Sequence, residues 1–288
     1  MPTTARVHLA HAVVQHLADT AHADLLHLKG PAVLEGLRDP QRTSFDVDVL
    51  VRPGHLARLI RALESHGWDR RTDFATGSPF AHAANWWHAD WGWVDVHLAW
   101  PGARIPPEQV FDLLARPGAT QAIAHVECPV PDRIGQRLVL LLHAARSPGS
   151  SDKDWAWDRA PESEQESVRT LAAQLDAEVA LAAALGELHL HRTDPDHQLW
   201  LHFSEGGDRI SEWRARLSAA QGTRARVRLA VSLARVNRDH LRLELGREPT
   251  RGDVRRRQRE RLRRAATELL ARWASRADST DATIEDAR

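Results

Sequence analysis

The sequence predicts an α+β fold, with a β-sheet domain and flanking helices over residues 1–130 and an all-helical domain over 131–276. Two observations favour this division. Short segments rich in β-forming residues, separated by turns, fill much of the first part, whereas helical periodicity continues almost unbroken after Pro131. The polar residues 277–288 are expected to form a disordered tail.

The composition is that of a globular protein in water, with 42% hydrophobic and 27% charged residues. The longest apolar run, LVLLLHAA from Leu138, is far shorter than the roughly 20 residues that cross a bilayer. His and Asp interrupt the N-terminal segment where a signal peptide needs an apolar block, so we expect a cytoplasmic protein without membrane partners. The single cysteine, Cys128, excludes an internal disulfide and a cysteine metal cluster.

The first domain is predicted to begin with an amphipathic helix over residues 1–21 and a short strand, LLHLK, from Leu25. Gly30 should end this strand, and Pro31 is suited to the first position of a short helix that reaches Leu37. The acidic segment TSFDVDVLV, residues 43–51, is predicted to be the next strand. A helix over residues 54–66 then follows, between Pro53 and Gly67.

The rest of the chain is predicted from the same signals. Between Trp68 and Val130 the predicted strands are WDRRTDF, AHAANWWH, WGWVDVHLAW and GATQAIAHVECPV, with one helix at Glu108–Leu114. The later helices are expected at residues 132–146, 163–185, 195–220, 224–245 and 250–276.

Acidic side chains occupy one face of two predicted strands. Alternation places Asp46 and Asp48 on the face of their strand opposite the valines, and Asp95 in WVDVHLAW is placed likewise. If the two strands are neighbours, about 4.8 Å apart, three carboxylates converge. Such oxygen ligands suit Mg²⁺ or Mn²⁺, and His97, on the same face as Asp95, could orient a carboxylate or a metal-bound water. A D-x-D pair on a solvated strand edge is the alternative interpretation.

Lysine is rare in this chain, because 39 residues are Lys or Arg and only Lys29 and Lys153 are lysine. Lysine presents a compact, flexible charge where arginine presents a planar fork, so sites that need a lysine should retain it. Lys29 lies beside Gly30 and favours a phosphate contact. Arg42, in a polar loop, is expected to contact a nucleotide, to form a structural ion pair, or to be solvated.

Four segments resemble the uncharacterised bacterial nucleotidyltransferase family of the DNA polymerase β-like superfamily. They are LLHLKGPAVL, the FDVDVLV strand with Arg42 three residues before it, the helix ending in SHGW, and VDVHLAW. The resemblance covers residues 23 to 100, and more loosely continues to about residue 160. It implies a nucleotidyltransferase-type mixed β-sheet domain, with the helical domain closing over its cleft.

The resemblance also implies an activity: transfer of an NMP unit from an NTP, with ATP as the expected donor, to an acceptor hydroxyl or phosphate with release of pyrophosphate. One departure is that the family's Gly-Gly or Gly-Ser turn is here Gly30-Pro31. The acceptor is left open among RNA, a small molecule and a peptide. The implied catalytic residues and metal ligands are Asp46, Asp48 and Asp95, and Gly30 matches the turn that holds the nucleotide phosphates. Lys29, Arg42, Ser44 and Lys153 are our further expected nucleotide-binding residues.

The C-terminal third supports a second hypothesis. Residues 207–276 hold 20 Arg against 8 Asp and Glu, a net charge of +12, and eight of these arginines lie between Arg251 and Arg264. A catalytically silent protein of the same fold could bind nucleic acid or a protein partner through these basic helices. The tryptophans of WGWVDVHLAW also have two interpretations, because Trp91 and Trp93 either pack in the core or stack on a base.

Overall fold

The fold was analysed in a computed structural model. The structure describes residues 1–74, 80–116, 118–207, 209–219, 222–224, 226–227, 229, 235–264 and 267. The chain forms two compact units, Met1–Gly206 and Gly207–Arg288. The domain boundary expected near residue 130 stays a prediction, and the expected tail at 277–288 lies outside the described residues. No described helix combines the length and apolar character that crossing a bilayer requires.

The first unit contains a five-stranded mixed sheet with flanking helices. Its first elements are α1 (Thr3–Thr20), β1 (Leu25–His27), β2 (Asp46–Val51), α2 (Leu56–Ser65), β3 (Asp69–Arg70), β4 (Ala83–His88) and β5 (Gly92–His97). The strand order is β1-β2-β5-β4-β3. Strands β2 and β5 are parallel, and the other neighbours are antiparallel. The structure therefore has the mixed-sheet α+β fold that the sequence predicts.

A helix, a separate hairpin and four further helices complete the first unit. They are α3 (Pro107–Leu114), β6 (Thr120–Ile123), β7 (Val126–Pro129), α4 (Arg133–Ala144), α5 (Glu162–Gln174), α6 (Glu178–Leu185) and α7 (His197–Glu205). The described part of the second unit is helical at α8 (Arg209–Ala219), at Arg238–Leu245 and at residues 251–264. Parts of the helices expected at 224–245 and 250–276 lie outside the described residues.

Several predicted elements are wrong in extent. The strand expected over GATQAIAHVECPV, for example, is the hairpin of β6 and β7. The helix expected at 163–185 is two helices, because Asp176 adopts a φ of +51° between α5 and α6, and the helix expected at 195–220 is divided at Gly206, with a φ of +81°. The helix expected at Pro31–Leu37 is only a 3₁₀ turn, Gly30–Ala32. Its continuation fails because Val33 is extended and the Leu34 N–H donates to Gln136 Oε1 at 2.8 Å.

Two hydrophobic cores cover opposite faces of the sheet. On one face, Val47 and Val49 pack with the apolar side chains of α1 and α2. On the other face, Leu26 and Leu50 pack with Trp100 and the apolar residues of α4. Because side chains alternate along β2, Asp46 and Asp48 share the second face with Leu50.

Buried histidines line both sides of the sheet. The Nδ1 atoms of His11 on α1 and His27 on β1 lie 2.7 Å apart, and His27 Nε2 lies 3.1 Å from Gln15 Oε1. Burial lowers the pKa of His11 to about 3, that of His27 well below its usual value, and that of His82 to about 2. These imidazoles are therefore neutral in the folded protein at neutral pH.

We expect the free energy of unfolding to fall steeply as the pH drops below about 6.5. The unfolded chain takes up protons on His11, His27 and His82 in this range and the folded chain does not, so stability is complete above the unfolded pKa and decreases below it. Each of these histidines contributes a slope of up to about 1.4 kcal/mol per pH unit. Urea unfolding at pH 7.5, 6.0 and 5.0 measures the slope, and His82→Gln should reduce it by up to the contribution of one histidine. An unchanged slope in that variant would contradict the assignment.

Candidate active site

The register of β2 and β5 brings acidic residues from separate strands together. The two strands are parallel neighbours, with Asp48 opposite Asp95 and Asp46 opposite Trp93. Residues opposite each other in a sheet project from the same face, so Asp46, Asp48 and Asp95 lie on one surface. The two strands are thus neighbours, which is what the expected carboxylate site requires.

Asp48 is the most enclosed of the three carboxylates, with 2% of its surface exposed. Its Oδ1 lies 2.8 Å from Lys29 Nζ and 2.9 Å from His97 Nε2. Burial opposes ionisation of Asp48, but the Lys29 ammonium group and the hydrogen bond from His97 outweigh it and lower the pKa. Asp48 is therefore ionised, and Lys29 supplies its counter-charge.

The pKa values of Asp95 and Asp46 are shifted in the opposite direction, upwards. Burial, followed by repulsion from Asp48 and Asp46, raises the pKa of Asp95 to about 7, although Asn85 Nδ2 donates a hydrogen bond to it. Burial and repulsion from Asp48 also raise the pKa of Asp46, whose carboxylate accepts a hydrogen bond from Ser44 Oγ at 3.3 Å. The negative charge of this cluster is only partly compensated by the protein.

The cluster has the donor set of a divalent-cation site. Asp48, Asp95 and His97 each offer one ligand atom, and these atoms lie within 4.8 Å of one another. Crowded carboxylates with raised pKa values fit an added cation, and carboxylate oxygens suit Mg²⁺ or Mn²⁺. Asp46 lies one row along β2, outside this group of three. The ligand roles of the three aspartates, and the secondary role expected for His97, stay predictions.

Gly30 begins the turn that follows β1 and has a φ of +63°. A Cβ atom there would lie 3.0 Å from Ser44 Oγ and 3.5 Å from His11 Nε2. Conformation and close packing against Ser44 thus explain the glycine. The phosphate contacts expected of Gly30 and Ser44 stay predictions.

Gly30→Ala is expected to destabilise the protein more than Gly36→Ala. Both glycines have a positive φ, of +63° and +80°, but no atom of the described residues lies within 4 Å of a Cβ at Gly36. The backbone strain costs about 1–2 kcal/mol in either variant, and crowding against Ser44 adds about 1 kcal/mol at residue 30. Urea unfolding of the two variants isolates the crowding. Equal losses would show that Ser44 moves away without cost.

Arg42 and Lys153, both expected to contact the nucleotide, form ion pairs within the protein. Arg42 Nη1 lies 2.9 Å from the Oδ1 of Asp152, a buried carboxylate that also pairs with Arg38 Nε at 3.0 Å. Lys153 Nζ lies 2.9 Å from Asp158 Oδ1, and both side chains are exposed. A structural ion pair is thus observed for Arg42, while nucleotide binding by either residue stays a prediction.

Sequence reasoning missed Arg146, which follows the C-terminal end of α4. Its guanidinium lies over the Trp100 ring, 5.3 Å from the centroid, and its Nε has no hydrogen-bond partner among the residues that the structure describes. Burial lowers the pKa of Arg146 to about 10, against the attraction of Asp48. A single arginine after an apolar run gives no signal that could have placed it near the carboxylates. Asn85 was also missed, because nothing in the sequence indicates that it meets Asp95.

No curated protein matches this chain. The solved structures that match include the lincosamide antibiotic adenylyltransferase LnuA with lincomycin bound, at 16% identity and a TM-score of 0.32, over 55% of this chain and 92% of that one. They also include the antibiotic-resistance factor ANT(2'')-Ia, at 19% identity and a TM-score of 0.36, over 67% of this chain and all of that one.

The family comparison covers most of the first unit. The model of an uncharacterised nucleotidyltransferase family matches residues 7–191, which is more than half of the 288-residue chain. This span includes β2, β5 and the carboxylate cluster between them. The chain belongs to this uncharacterised nucleotidyltransferase family.

Proposed function

We propose that this protein is a metal-dependent nucleotidyltransferase that transfers an NMP unit from an NTP, expected to be ATP, to an acceptor hydroxyl or phosphate and releases pyrophosphate. Membership of the family supports nucleotidyl transfer in general. The observation that carries the proposal for this chain is the register of Asp48 with Asp95 across β2 and β5. A structural protein gains nothing from such repulsion, whereas a site for divalent cations requires it.

The carboxylates would hold the metal. Asp48 and Asp95 would be ligands together with Asp46, and His97 would orient Asp48 through its 2.9 Å hydrogen bond. A bound Mg²⁺ or Mn²⁺ would supply Lewis-acid stabilisation of the phosphate oxygens. Asp95 would also accept the proton of the acceptor hydroxyl.

The cations of the site would bind the triphosphate. Lys29 lies 2.8 Å from Asp48 and can exchange that partner for a phosphate oxygen. Arg146, stacked on Trp100 with Nε unpartnered among the described residues, is a second cation for the departing pyrophosphate. We retain Gly30, Ser44, Arg42 and Lys153 as further nucleotide contacts; Arg42 and Lys153 would have to leave their present carboxylate partners.

Labelled transfer tests the proposal. The protein is incubated with each α-³²P-labelled NTP, Mg²⁺ and candidate acceptors, and the expected result is a labelled acceptor with stoichiometric pyrophosphate, abolished by EDTA and in Asp46→Ala. Thermal shift with ATP, with and without Mg²⁺, shows donor binding independently of any acceptor. Unchanged transfer in Asp46→Ala, or no Mg²⁺-linked shift with any of the four nucleotides, would reject the mechanism.

The alternative, a catalytically silent nucleic-acid-binding protein, makes a different prediction. Several arginines of the basic helices pair within the second unit, including Arg256 with Asp253 at 2.8 Å and Arg257 with Glu244 at 2.7 Å. Strong RNA binding that weakens steeply with salt, without any nucleotide-linked shift, would favour the alternative. Weak RNA binding with a Mg²⁺·ATP shift would favour the enzyme.

A further inference from the structure

Two tryptophans lie in the sheet row next to the carboxylates. Trp93 on β5 is opposite Asp46 on one side and Trp87 of β4 on the other. The adjacent row contains Asp48, Asp95 and Asn85 in the same order. Because paired residues project from the same face, the two indoles lie beside each other on the face that carries the aspartates.

These two tryptophans are not part of either hydrophobic core among the described residues. Trp91, by contrast, packs against the core on the valine face. Of the two interpretations that the sequence left open for Trp91, core packing is the one observed. Trp87 and Trp93 are both partly exposed, and Arg71 lies over the Trp87 ring, 5.0 Å from its centroid. No described core covers these two apolar rings, and Trp93 in particular is suited to contact a ligand.

The strand order separates the two sides of the site. Lys29 and Gly30 follow β1 and Ser44 precedes β2, so these three residues belong to the β1–β2 side of the aspartates. Trp93, Trp87 and Asn85 belong to the β5–β4 side. Asp95 lies between the two sides, and Asn85 Nδ2 on the β5–β4 side donates a hydrogen bond to it. In an in-line displacement the attacking oxygen and the leaving pyrophosphate lie on opposite sides of the phosphorus. A triphosphate held from the β1–β2 side therefore leaves the tryptophan side to the acceptor.

The charges beside the tryptophans restrict the acceptor further. Asp46, Asp95 and the exposed Asp69 flank this surface, and Arg71 is paired with Asp69 at 3.4 Å. A polyanion such as RNA would meet more carboxylates than cations here. A neutral or cationic ring would gain from both the indole faces and the carboxylates.

We propose that Trp93 and Trp87 form the acceptor-binding surface and that the acceptor is a small, hydroxylated, uncharged or cationic ring compound lying flat on Trp93. This inference rests on the proposed function. The ring hydroxyl oxygen forms the new bond to the α-phosphorus, the bond from that phosphorus to the bridging oxygen of pyrophosphate breaks, and the hydroxyl proton passes to Asp95. A sugar or cyclitol ring would present its C–H face, and a nucleoside would present its base.

The test begins with labelled transfer from the NTP that gives the Mg²⁺-dependent thermal shift. The acceptors are neutral sugars, amino sugars, cyclitols and nucleosides, with a single-stranded oligoribonucleotide as the polyanionic arm. For the best acceptor, Trp93→Ala is expected to raise the acceptor KM about tenfold or more, with the KM for the NTP unchanged within twofold. Trp93→Phe should restore most of the affinity, and Trp87→Ala should show a smaller increase.

Trp91→Ala is the matched control, because it removes the same side chain from the core side of the same strand region. It is expected to lower the melting temperature and to leave both KM values unchanged. Labelling of the oligoribonucleotide alone, labelling of no ring compound, or an unchanged acceptor KM in Trp93→Ala would each overturn the inference while donor binding stands. Absence of any Mg²⁺-linked nucleotide shift in the wild type would overturn the proposed function, and the inference with it.

Discussion

Asp95→Asn is expected to reduce nucleotidyl transfer by about 10²–10³-fold and to stabilise the protein when divalent cations are absent. The amide keeps the acceptor atom for Asn85 but removes a charge that burial, Asp48 and Asp46 all disfavour. Relief of that repulsion should be worth about 1–3 kcal/mol in EDTA at pH 8. Urea unfolding in EDTA and in Mg²⁺, beside labelled transfer, measures both effects.

This combination separates a functional role for Asp95 from a structural one. Asp90→Asn is the matched control, since Asp90 is exposed in the turn between β4 and β5, and it should change neither quantity. If Asp95→Asn lost stability and activity together, the carboxylate would be a structural element. If activity persisted, Asp95 would not belong to the catalytic set.

Asp152→Asn is expected to lower the free energy of unfolding by about 3–5 kcal/mol. Asp152 is fully buried and lies 3.0 Å from Arg38 Nε, 2.9 Å from Arg42 Nη1 and 3.3 Å from His143 Nδ1. Burial opposes its ionisation, but the hydrogen bond from His143 and the two arginines hold the pKa of Asp152 at about 2. The variant leaves these cations around a neutral amide.

Asp158→Asn makes the same chemical change at an exposed ion pair. Asp158 pairs with Lys153 at 2.9 Å, and exposed pairs contribute about 0–1 kcal/mol. The loss in the free energy of unfolding, measured with urea, should therefore be several-fold larger in Asp152→Asn than in Asp158→Asn. A small effect at Asp152 would mean that Arg38 and Arg42 find water or other partners, and Arg42 would then be available for a nucleotide.

The amino-acid sequence determined the local features of the site. Alternation along a strand is set by backbone geometry, so the placement of Asp46, Asp48 and Asp95 opposite the valines followed from their spacing alone. The mixed-sheet fold followed from the strand signals and the family resemblance. Local signals failed where a tertiary contact replaced a helical hydrogen bond. The helix expected after Gly30 is only a 3₁₀ turn, because the Leu34 N–H donates to Gln136 instead of continuing the helix.

Only the tertiary structure decided which distant residues meet. Three contacts join residues that are far apart along the chain. They are the register of Asp48 with Asp95, the pairing of Lys29 with Asp48, and the stacking of Arg146 on Trp100. Such contacts depend on strand order and on how helices pack on the sheet, which a short-range pattern cannot encode. The sequence thus predicted which residues could bind a cation, and the fold determined which of them lie side by side.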